Sequence, residues 1–305
     1  MKNLLLLSQL LLWSFALQGQ TLRVASYNIR YDSPSDSLDN WKYRKNTVAK
    51  LVQFHDFDIF GTQEALDHQL EQLLERLPGY AYIGVGRDDG KKAGEFAAIL
   101  YKEEMFQLLD QGHFWLSEDT SKPNKGWDAA LPRICTWGKF EHRESGFTFY
   151  MFNAHFDHVG TVAREESAKL ILAQIGKIAT NAPVLLTGDF NVDQKSGSYK
   201  VLQGSDLLED AYLEADLTYG ASGTFNSFKV DTNTDQRIDH IFITDRFKVL
   251  KYGILTDTYQ TGKDETSVKA DSGNFPKETS LYKHQARLPS DHYPILSVLQ
   301  IISRP

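Results

Sequence analysis

The chain has 305 residues, 40 of them acidic and 33 basic, for a formal net charge of −7. That balance excludes a protein that coats nucleic acid through a broad basic surface, but not an enzyme that grips one or two phosphates. The single cysteine, Cys135, excludes an internal disulfide, so stability rests on packing, and the 12% aromatic content suits a sheet-rich core.

Met1-Lys2-Asn3 carries a positive charge, residues 4–17 are almost wholly apolar, and Gln18-Gly19-Gln20 is polar. This three-part pattern predicts a secretory signal peptide over residues 1–20 and a secreted or periplasmic protein. The apolar run is shorter than the ~20 residues of a membrane span. Residues 21–305 contain no linker, repeat or low-complexity block, which predicts one domain. Residues 22–28 read as a strand, and residues 39–55 as a helix with Val48, Leu51 and Val52 on one face. A strand follows over 57–62. Leu66, Leu70, Leu73, Leu74 and Leu77 then mark an amphipathic helix that Pro78-Gly79 stops. Residues 80–85, 96–101, 105–115 and 147–155 read as strands, 163–179 as a helix, and 183–187, 237–244, 248–255 and 294–301 as strands. Alternation early and strand after strand in the middle predict an α/β protein with mixed sheets. Residues 261–288 are polar and aperiodic, which predicts a lid or substrate-facing loop leading into Ser290-Asp291-His292.

Many of these strands meet polar groups that a core does not need. Asn28 ends the first strand, Gln63-Glu64 the second, His155-Phe156-Asp157-His158 a later one, and Gly188-Asp189-Phe190-Asn191 the next. Arg237-Ile238-Asp239-His240 opens a strand, and Ser290-Asp291-His292 precedes the last. Singly, Asn28 reads equally as a turn residue and Glu64 as a helix N-terminal charge. Together they point to a site at the strand ends, where ligands of open α/β sheets collect. Asp189 and Asn191 are hard oxygen donors two residues apart, a pair suited to a Mg²⁺-type ion or a nearby phosphate.

The ordered motifs Ser26-Tyr27-Asn28, Thr62-Gln63-Glu64, Gly94-Glu95-Phe96, Asn153-Ala154-His155, Gly188-Asp189-Phe190-Asn191, Arg237-Ile238-Asp239-His240 and Ser290-Asp291-His292 resemble the endonuclease/exonuclease/phosphatase superfamily. That group includes deoxyribonuclease I-like enzymes, neutral sphingomyelinases and inositol polyphosphate 5-phosphatases. The resemblance implies a four-layer α/β sandwich of two packed mixed β-sheets flanked by helices, with the site at one end. It implies Glu64 as the main metal carboxylate, with Asn28 and Asp291 beside it, and Mg²⁺ as the ion, Mn²⁺ being an alternative. Asp189 is implied to activate water, Asn191 to contact the scissile phosphate, and His292 to bind phosphate in an orientation fixed by Asp239. His155 resembles the second histidine of the deoxyribonuclease-like branch, with Glu95 as its partner. Arg133 matches a phosphate-contacting arginine of some branches, while Cys135 reads as a packed strand residue.

The implied reaction is attack of water, assisted by Asp189, on a metal-held phosphate. A carboxylate beside each of His292 and His155 is expected to favour the charged imidazolium. The substrate stays open among a small organophosphate, a lipid head group and nucleic acid. Scattered lysines such as Lys91-Lys92 form no basic stripe, so no stable nucleic-acid partner is expected. No apolar segment beyond the leader marks membrane insertion, and a monomer is expected. The alternatives are an extracellular nuclease of the same family and a catalytically silent binding module on this scaffold.

Overall fold

The computed structural model describes residues 20–260, 268–270, 273–274 and 278–302. The expected leader therefore lies outside the described residues apart from Gln20, and the expected loop over 261–288 is described only in part. In chain order the elements are β1 (Thr21–Asn28), α1 (Trp41–Phe54), β2 (Ile59–Ala65), α2 (Asp67–Leu74), β3 (Tyr80–Ile83), β4 (Phe96–Lys102), β5 (Phe106–Trp115), β6 (Ile134–His142) and β7 (Phe147–His155). They continue with α3 (Thr161–Ile178), β8 (Val184–Asp189), α4 (Gly197–Gln203), β9 (Glu209–Asp210), β10 (Thr218–Gly220), β11 (Asp239–Ile243), β12 (Phe247–Ile254), β13 (Tyr259–Gln260), β14 (Ala286–Arg287) and β15 (Ile295–Ile301).

Two large mixed sheets carry the fold. One runs β10-β12-β15-β1-β2-β4-β3 and the other β5-β6-β7-β8-β11-β9. Each holds a parallel pair near its centre, β1 with β2 and β7 with β8. The layers follow from strand periodicity, because successive side chains point to opposite faces. Leu22 and Val24 of β1 pack in one apolar cluster with Ile59, Met151, Leu185 and Ile241, so this core lies between the sheets. Ala25, Tyr27 and Phe60 pack against Trp41, Val48 and Val52 of α1 and Leu70 and Leu73 of α2. Phe152, Leu186 and Phe242 pack against Ala168, Ile171 and Ile175 of α3. The result is the expected four-layer sandwich.

The same alternation aims the site. Asn28 shares a face with Val24, His155 with Met151, Asp189 with Leu185 and Asp239 with Ile241, so all four belong to the inter-sheet face at the strand ends. The core between the sheets therefore turns polar at one end, where buried carboxylates, amides and imidazoles replace the aliphatic side chains.

The short strands β9, β10, β13 and β14, helix α4 and the longer strand β6 lie outside the predicted elements. β6 lies between β5 and β7, yet no strand is predicted there beyond the packed Cys135. Gly138 and Lys139 interrupt its apolar pattern. A Cβ on Gly138 would sit 2.6 Å from Ile83 Cδ1, so close approach to β3 explains the glycine. Cys135 is fully buried in this strand. Helix ends also shift by a residue or two. The α1 N-cap is Asn40, whose side chain accepts from the Lys42 N–H. Asp128 accepts from the Val162 and Ala163 N–H groups at the start of α3, using two donors that a helix leaves unpaired. Among the described residues no helix is long and apolar enough to cross a membrane.

Candidate active site

The polar end of the inter-sheet core opens into a cavity of about 510 Å³. Glu64, Glu95, Arg133, His155, Asp189, Asn191, Asp291 and His292 line it. Asn28 and Asp239 stand directly behind, fully or nearly fully buried, and hydrogen-bond to the lining groups. The structure thus brings together the ten predicted site residues, whereas Cys135, Arg237 and His240 lie away from the cavity.

Local backbone conformation places several of them. Arg30, Glu64 and Asn191 all have positive φ, at 58°, 63° and 50°, although none is glycine. Non-glycine residues pay about 1–3 kcal/mol for such conformations, which concentrate at functional sites. In β2 the pairing with β4 shifts between Thr62 and Ala65, a bulge in which Gln63 and Glu64 together oppose one residue. Strict alternation would send Glu64 toward the helices. The bulge instead turns it to the site, where Asn28 Nδ2 donates to Glu64 Oε1 at 3.1 Å and to Asp189 Oδ2 at 2.9 Å.

Asp189 is almost wholly buried. Its Oδ1 accepts from the Asn191 N–H at 3.0 Å, and its Oδ2 faces His155 Nε2 at 3.5 Å and His292 Nε2 at 3.7 Å. Burial pushes its carboxyl above the usual range against the pull of His292, and Asp239 adds to the rise. His292 Nδ1 donates to Asp239 Oδ2 at 2.9 Å. Burial alone would lower the His292 pKa, but Asp239 and Asp189 outweigh it and hold the imidazolium well above the ordinary histidine value.

His155 behaves differently from the expectation of a charged ring. Burial, with Arg133 and Arg87 nearby, pushes its pKa down to about 3 despite Asp189. It is a neutral imidazole whose Nε2 accepts from Asn191 Nδ2 at 3.2 Å and whose Nδ1 faces Glu95 at 3.6 Å. Glu95 spends its hydrogen bonds on Arg87, which forks onto it at 2.6 and 2.8 Å, so it gives His155 little charge. Asn191, expected at the scissile phosphate, also donates to the Phe156 carbonyl at 3.0 Å.

Side-chain atoms of Glu64, Asp189 and His292 all lie within 4.8 Å of one another, the two carboxylates as possible ligands and the imidazolium, protonated at both nitrogens, as a neighbouring positive charge. Asp291 reaches the same region from the far side of Arg30, whose Nη1 lies 3.7 Å from Glu64 Oε2 and 3.8 Å from Asp291 Oδ2. Both carboxylates therefore converge on one cationic position. Burial pushes Asp291 up to about 6, with His292 opposing and Glu64 adding to the rise. Gathered carboxylate oxygens favour a hard divalent cation, while Asn28 turns its Nδ2 to them and its Oδ1 to the Arg30 N–H.

Sequence reasoning gave no role to several residues that complete the site. Arg30 lies between Glu64 and Asp291, Arg87 holds Glu95, and Asp157 holds Arg133 through its Nε at 3.3 Å. Thr224 Oγ1 accepts from the Ile238 and Asp239 N–H groups, and Phe225 packs edge-on against His292 at 5.1 Å. Asp157 sits inside a motif already noted, and Arg30 two residues beyond another. Thr224 and Phe225 belong to no noted motif, and the contact of Phe225 with His292 forms only in the folded chain. Arg133 Nη1 is buried and, among the described residues, has no hydrogen-bond partner.

Residues 25–292 match the model of the Endonuclease/Exonuclease/phosphatase family. The chain belongs to that family. Two solved structures from Bacteroides thetaiotaomicron are similar over nearly their whole length. One, described as an endonuclease/exonuclease/phosphatase family protein, is 46% identical with a TM-score of 0.86, covering 94% of this chain and 100% of its own. The other, a mannosyl-6-phosphatase, is 47% identical with a TM-score of 0.83, covering 91% of this chain and 99% of its own. Nocturnin of Drosophila melanogaster is 24% identical over 67% of this chain. The chain spans less than two thirds of the first curated relatives it matches, and 34% of Nocturnin. Membership in the endonuclease/exonuclease/phosphatase family accounts for the two-sheet sandwich.

Proposed function

We propose that this chain is a divalent-cation-dependent phosphoesterase acting on a small phosphorylated molecule, with a sugar phosphomonoester as the favoured class. The observation that carries the reading is the convergence of Glu64, Asp189 and His292 within 4.8 Å, backed by the His292–Asp239 bond. The 47% identical mannosyl-6-phosphatase supports the substrate class. So do the apolar side chains at the cavity, Phe225, Leu131, Ile238 and Tyr31, which suit a compact organic body better than a polyanionic strand.

In this reading Glu64 and Asp291 would hold the cation, with Asn28 keeping Glu64 in place through its Nδ2. A cation held there would supply Lewis acidity toward a phosphoryl oxygen. Asp189 takes a proton from the attacking water, and its raised pKa makes it a better acceptor than an exposed carboxylate. Its two oxygens are fixed by Asn28 and the Asn191 N–H, so little reorganisation is needed. His292, kept cationic by Asp239, neutralises charge developing on phosphate. Arg133 directs its unpaired Nη1 to a phosphate oxygen, where a guanidinium is worth more than in water. Neutral His155 positions the amide of Asn191 by accepting from its Nδ2. The leader-like residues 1–20 support a secreted or periplasmic location, and we take the acting unit to be a monomer.

The test compares mannose 6-phosphate, p-nitrophenyl phosphate, bis-(p-nitrophenyl) phosphate, sphingomyelin, RNA and duplex DNA in Mg²⁺, Mn²⁺ or EDTA. Small phosphomonoesters should turn over fastest, and EDTA should abolish the rate. Asp189→Asn and Glu64→Gln should each lower kcat by about 10²-fold or more. Undiminished hydrolysis in EDTA, or a full rate from Asp189→Asn, overturns the mechanism. Faster turnover of RNA or DNA than of any small ester favours the nuclease reading instead.

A further inference from the structure

One layer beneath the site, the core between the sheets is polar rather than aliphatic. Ser26, Gln63, Asn153 and Thr187 lie there, all fully buried. Each is two residues or fewer from a site residue, and three of them precede one on the same strand face: Ser26 before Asn28, Asn153 before His155, and Thr187 before Asp189. Asn153 is the centre of this layer. Its Oδ1 accepts from Gln63 Nε2 at 2.7 Å and from Thr187 Oγ1 at 3.0 Å. Its Nδ2 crosses from the second sheet to the first and donates to the carbonyls of Thr62 and Ala98, at 2.9 Å each.

Those two carbonyls belong to the paired residues at one end of the β2 bulge, the last in register before Gln63 and Glu64. Asn153 thus fastens the bulge from outside its own sheet, through both flanking strands and through Gln63 itself. Gly61 makes the approach possible, since a Cβ there would lie 2.2 Å from Asn153 Oδ1 and 2.3 Å from Thr187 Oγ1. The effect of the bulge is visible in the packing. Gln63 faces the opposite sheet, while Ala65 packs with the helices, so the alternation changes phase between them and Glu64 is thrown to the site.

We propose that Asn153 is the positioning residue for Glu64. Its amide holds the bulge that takes Glu64 off the helix face and sets it opposite Asp189 and Asn28. A Glu64 held in left-handed conformation, with φ of 63°, needs such surroundings, because an unsupported strand would relax toward ordinary alternation. The proposal rests on the reading of Glu64 as the principal cation carboxylate. Asn153 touches no substrate, and its influence passes through the backbone of β2.

The experiment measures Mn²⁺ binding to the full-length protein by calorimetry and electron paramagnetic resonance, with thermal melts on the same samples. The variants are Asn153→Ala, Thr187→Val and Glu64→Gln. Glu64→Gln should lose at least tenfold in Mn²⁺ affinity. Asn153→Ala, assayed well below its melting temperature, should also lose about tenfold. Thr187→Val removes one bond to the Asn153 amide and should lose about threefold. A merely structural Asn153 would lower the melting temperature and leave the affinity of the folded protein unchanged. Wild-type Mn²⁺ affinity in folded Asn153→Ala, with Glu64→Gln impaired, overturns the proposal. If Asn153→Ala does not fold, wild-type affinity in Thr187→Val overturns it. Wild-type affinity in Glu64→Gln sinks the cation-site reading itself, which keeps the two failures distinct.

Discussion

His292 donates its Nδ1–H to the Asp239 carboxylate across 2.9 Å, and both groups are more than nine-tenths buried. Asp239 is thereby assigned the imidazole's orientation as well as its charge. Replacing it with Asn keeps the shape but removes the charge, so the His292 pKa should fall. We expect Asp239→Asn to lower kcat by roughly 10²–10⁴-fold and to move the alkaline limb of the kcat profile to lower pH. The sign for stability follows the raised folded pKa. The contribution is complete below the unfolded value near ~6.5 and is lost as pH rises through the folded value. Urea unfolding of the wild type should therefore weaken on the alkaline side, and Asp239→Asn should lack that component. An unchanged alkaline limb in the variant contradicts the assignment.

Cation binding should show in stability without any substrate. Glu64, Asp189 and Asp291 are carboxylates gathered in one nearly buried region, and a divalent ion relieves their repulsion. Saturation at a hundred times Kd stabilises a folded protein by about 2.7 kcal/mol, a rise of about 5 °C or more in Tm. Asp291, pushed up to about 6 by burial against the pull of His292, sets the pH dependence. In cation-free protein the unfolded chain releases this proton first, so the Asp291 contribution falls as pH rises from about 4 to about 6. The Mg²⁺-dependent gain in Tm should grow across that window. Equal Mg²⁺ shifts in wild type and Glu64→Gln, by scanning calorimetry, would falsify a role for Glu64.

How much of this was legible in the sequence depends on the range of the cause. Period-two alternation puts Asn28, His155, Asp189 and Asp239 on one face of their strands, and that signal is local. Helices α1 and α3 announce themselves by apolar spacing for the same reason. The bulge at Glu64 is invisible locally, because it is held by Asn153 from another sheet, 91 positions from Thr62. The charge of His155 was misread because neighbouring carboxylates were counted in sequence terms. Burial and two arginines, Arg87 and Arg133, arrive only in three dimensions. Strand β6 escaped because Gly138 answers to packing against Ile83 rather than to strand propensity.

Asp157 shows how a side chain outside the reaction can govern one within it. Its carboxylate accepts from the N–H groups of Ala130, Leu131, Val159 and Gly160, and from Arg133 Nε. Burial alone would raise its pKa, but these backbone donors and Arg133 hold it well below the usual range. Asp157→Ala should cost about 3 kcal/mol, since several donors are left unpaired around a side chain that is itself 1% exposed. A depressed folded pKa gives stability present above the unfolded value near ~4 and lost as pH falls toward the folded one. The gap between wild type and Asp157→Asn in urea midpoints should therefore be widest near pH 7 and shrink below pH ~4. A gap that does not change with pH rules out the charged carboxylate as its source.

Arg44 makes the most demanding case for stability and site geometry being one problem. Its guanidinium is completely buried, between the rings of Trp41 and Phe228. It donates to the carbonyls of Asp39, Ile29 at 2.9 Å and Pro289 at 2.7 Å. Ile29 directly follows Asn28, and Pro289 directly precedes Ser290-Asp291, so this one fork ties together the two backbone segments that bring Asn28 and Asp291 to the site. Ser290 Oγ reinforces the tie by donating to the Asn28 carbonyl at 2.7 Å. Lysine retains the charge but has no planar fork, and it cannot satisfy three divergent carbonyls from one ammonium. Arg44→Lys should destabilise the protein by about 2–4 kcal/mol and weaken Mg²⁺ activation severalfold, by loosening Asp291 against Glu64. Urea unfolding with an unchanged m-value, paired with a Mg²⁺ titration of activity, reads both effects. If Arg44→Lys lies within about 0.5 kcal/mol of wild type, the fork does not hold these segments. If stability falls while the Mg²⁺ dependence stays fixed, Arg44 supports the fold without setting the distance between Asn28 and Asp291.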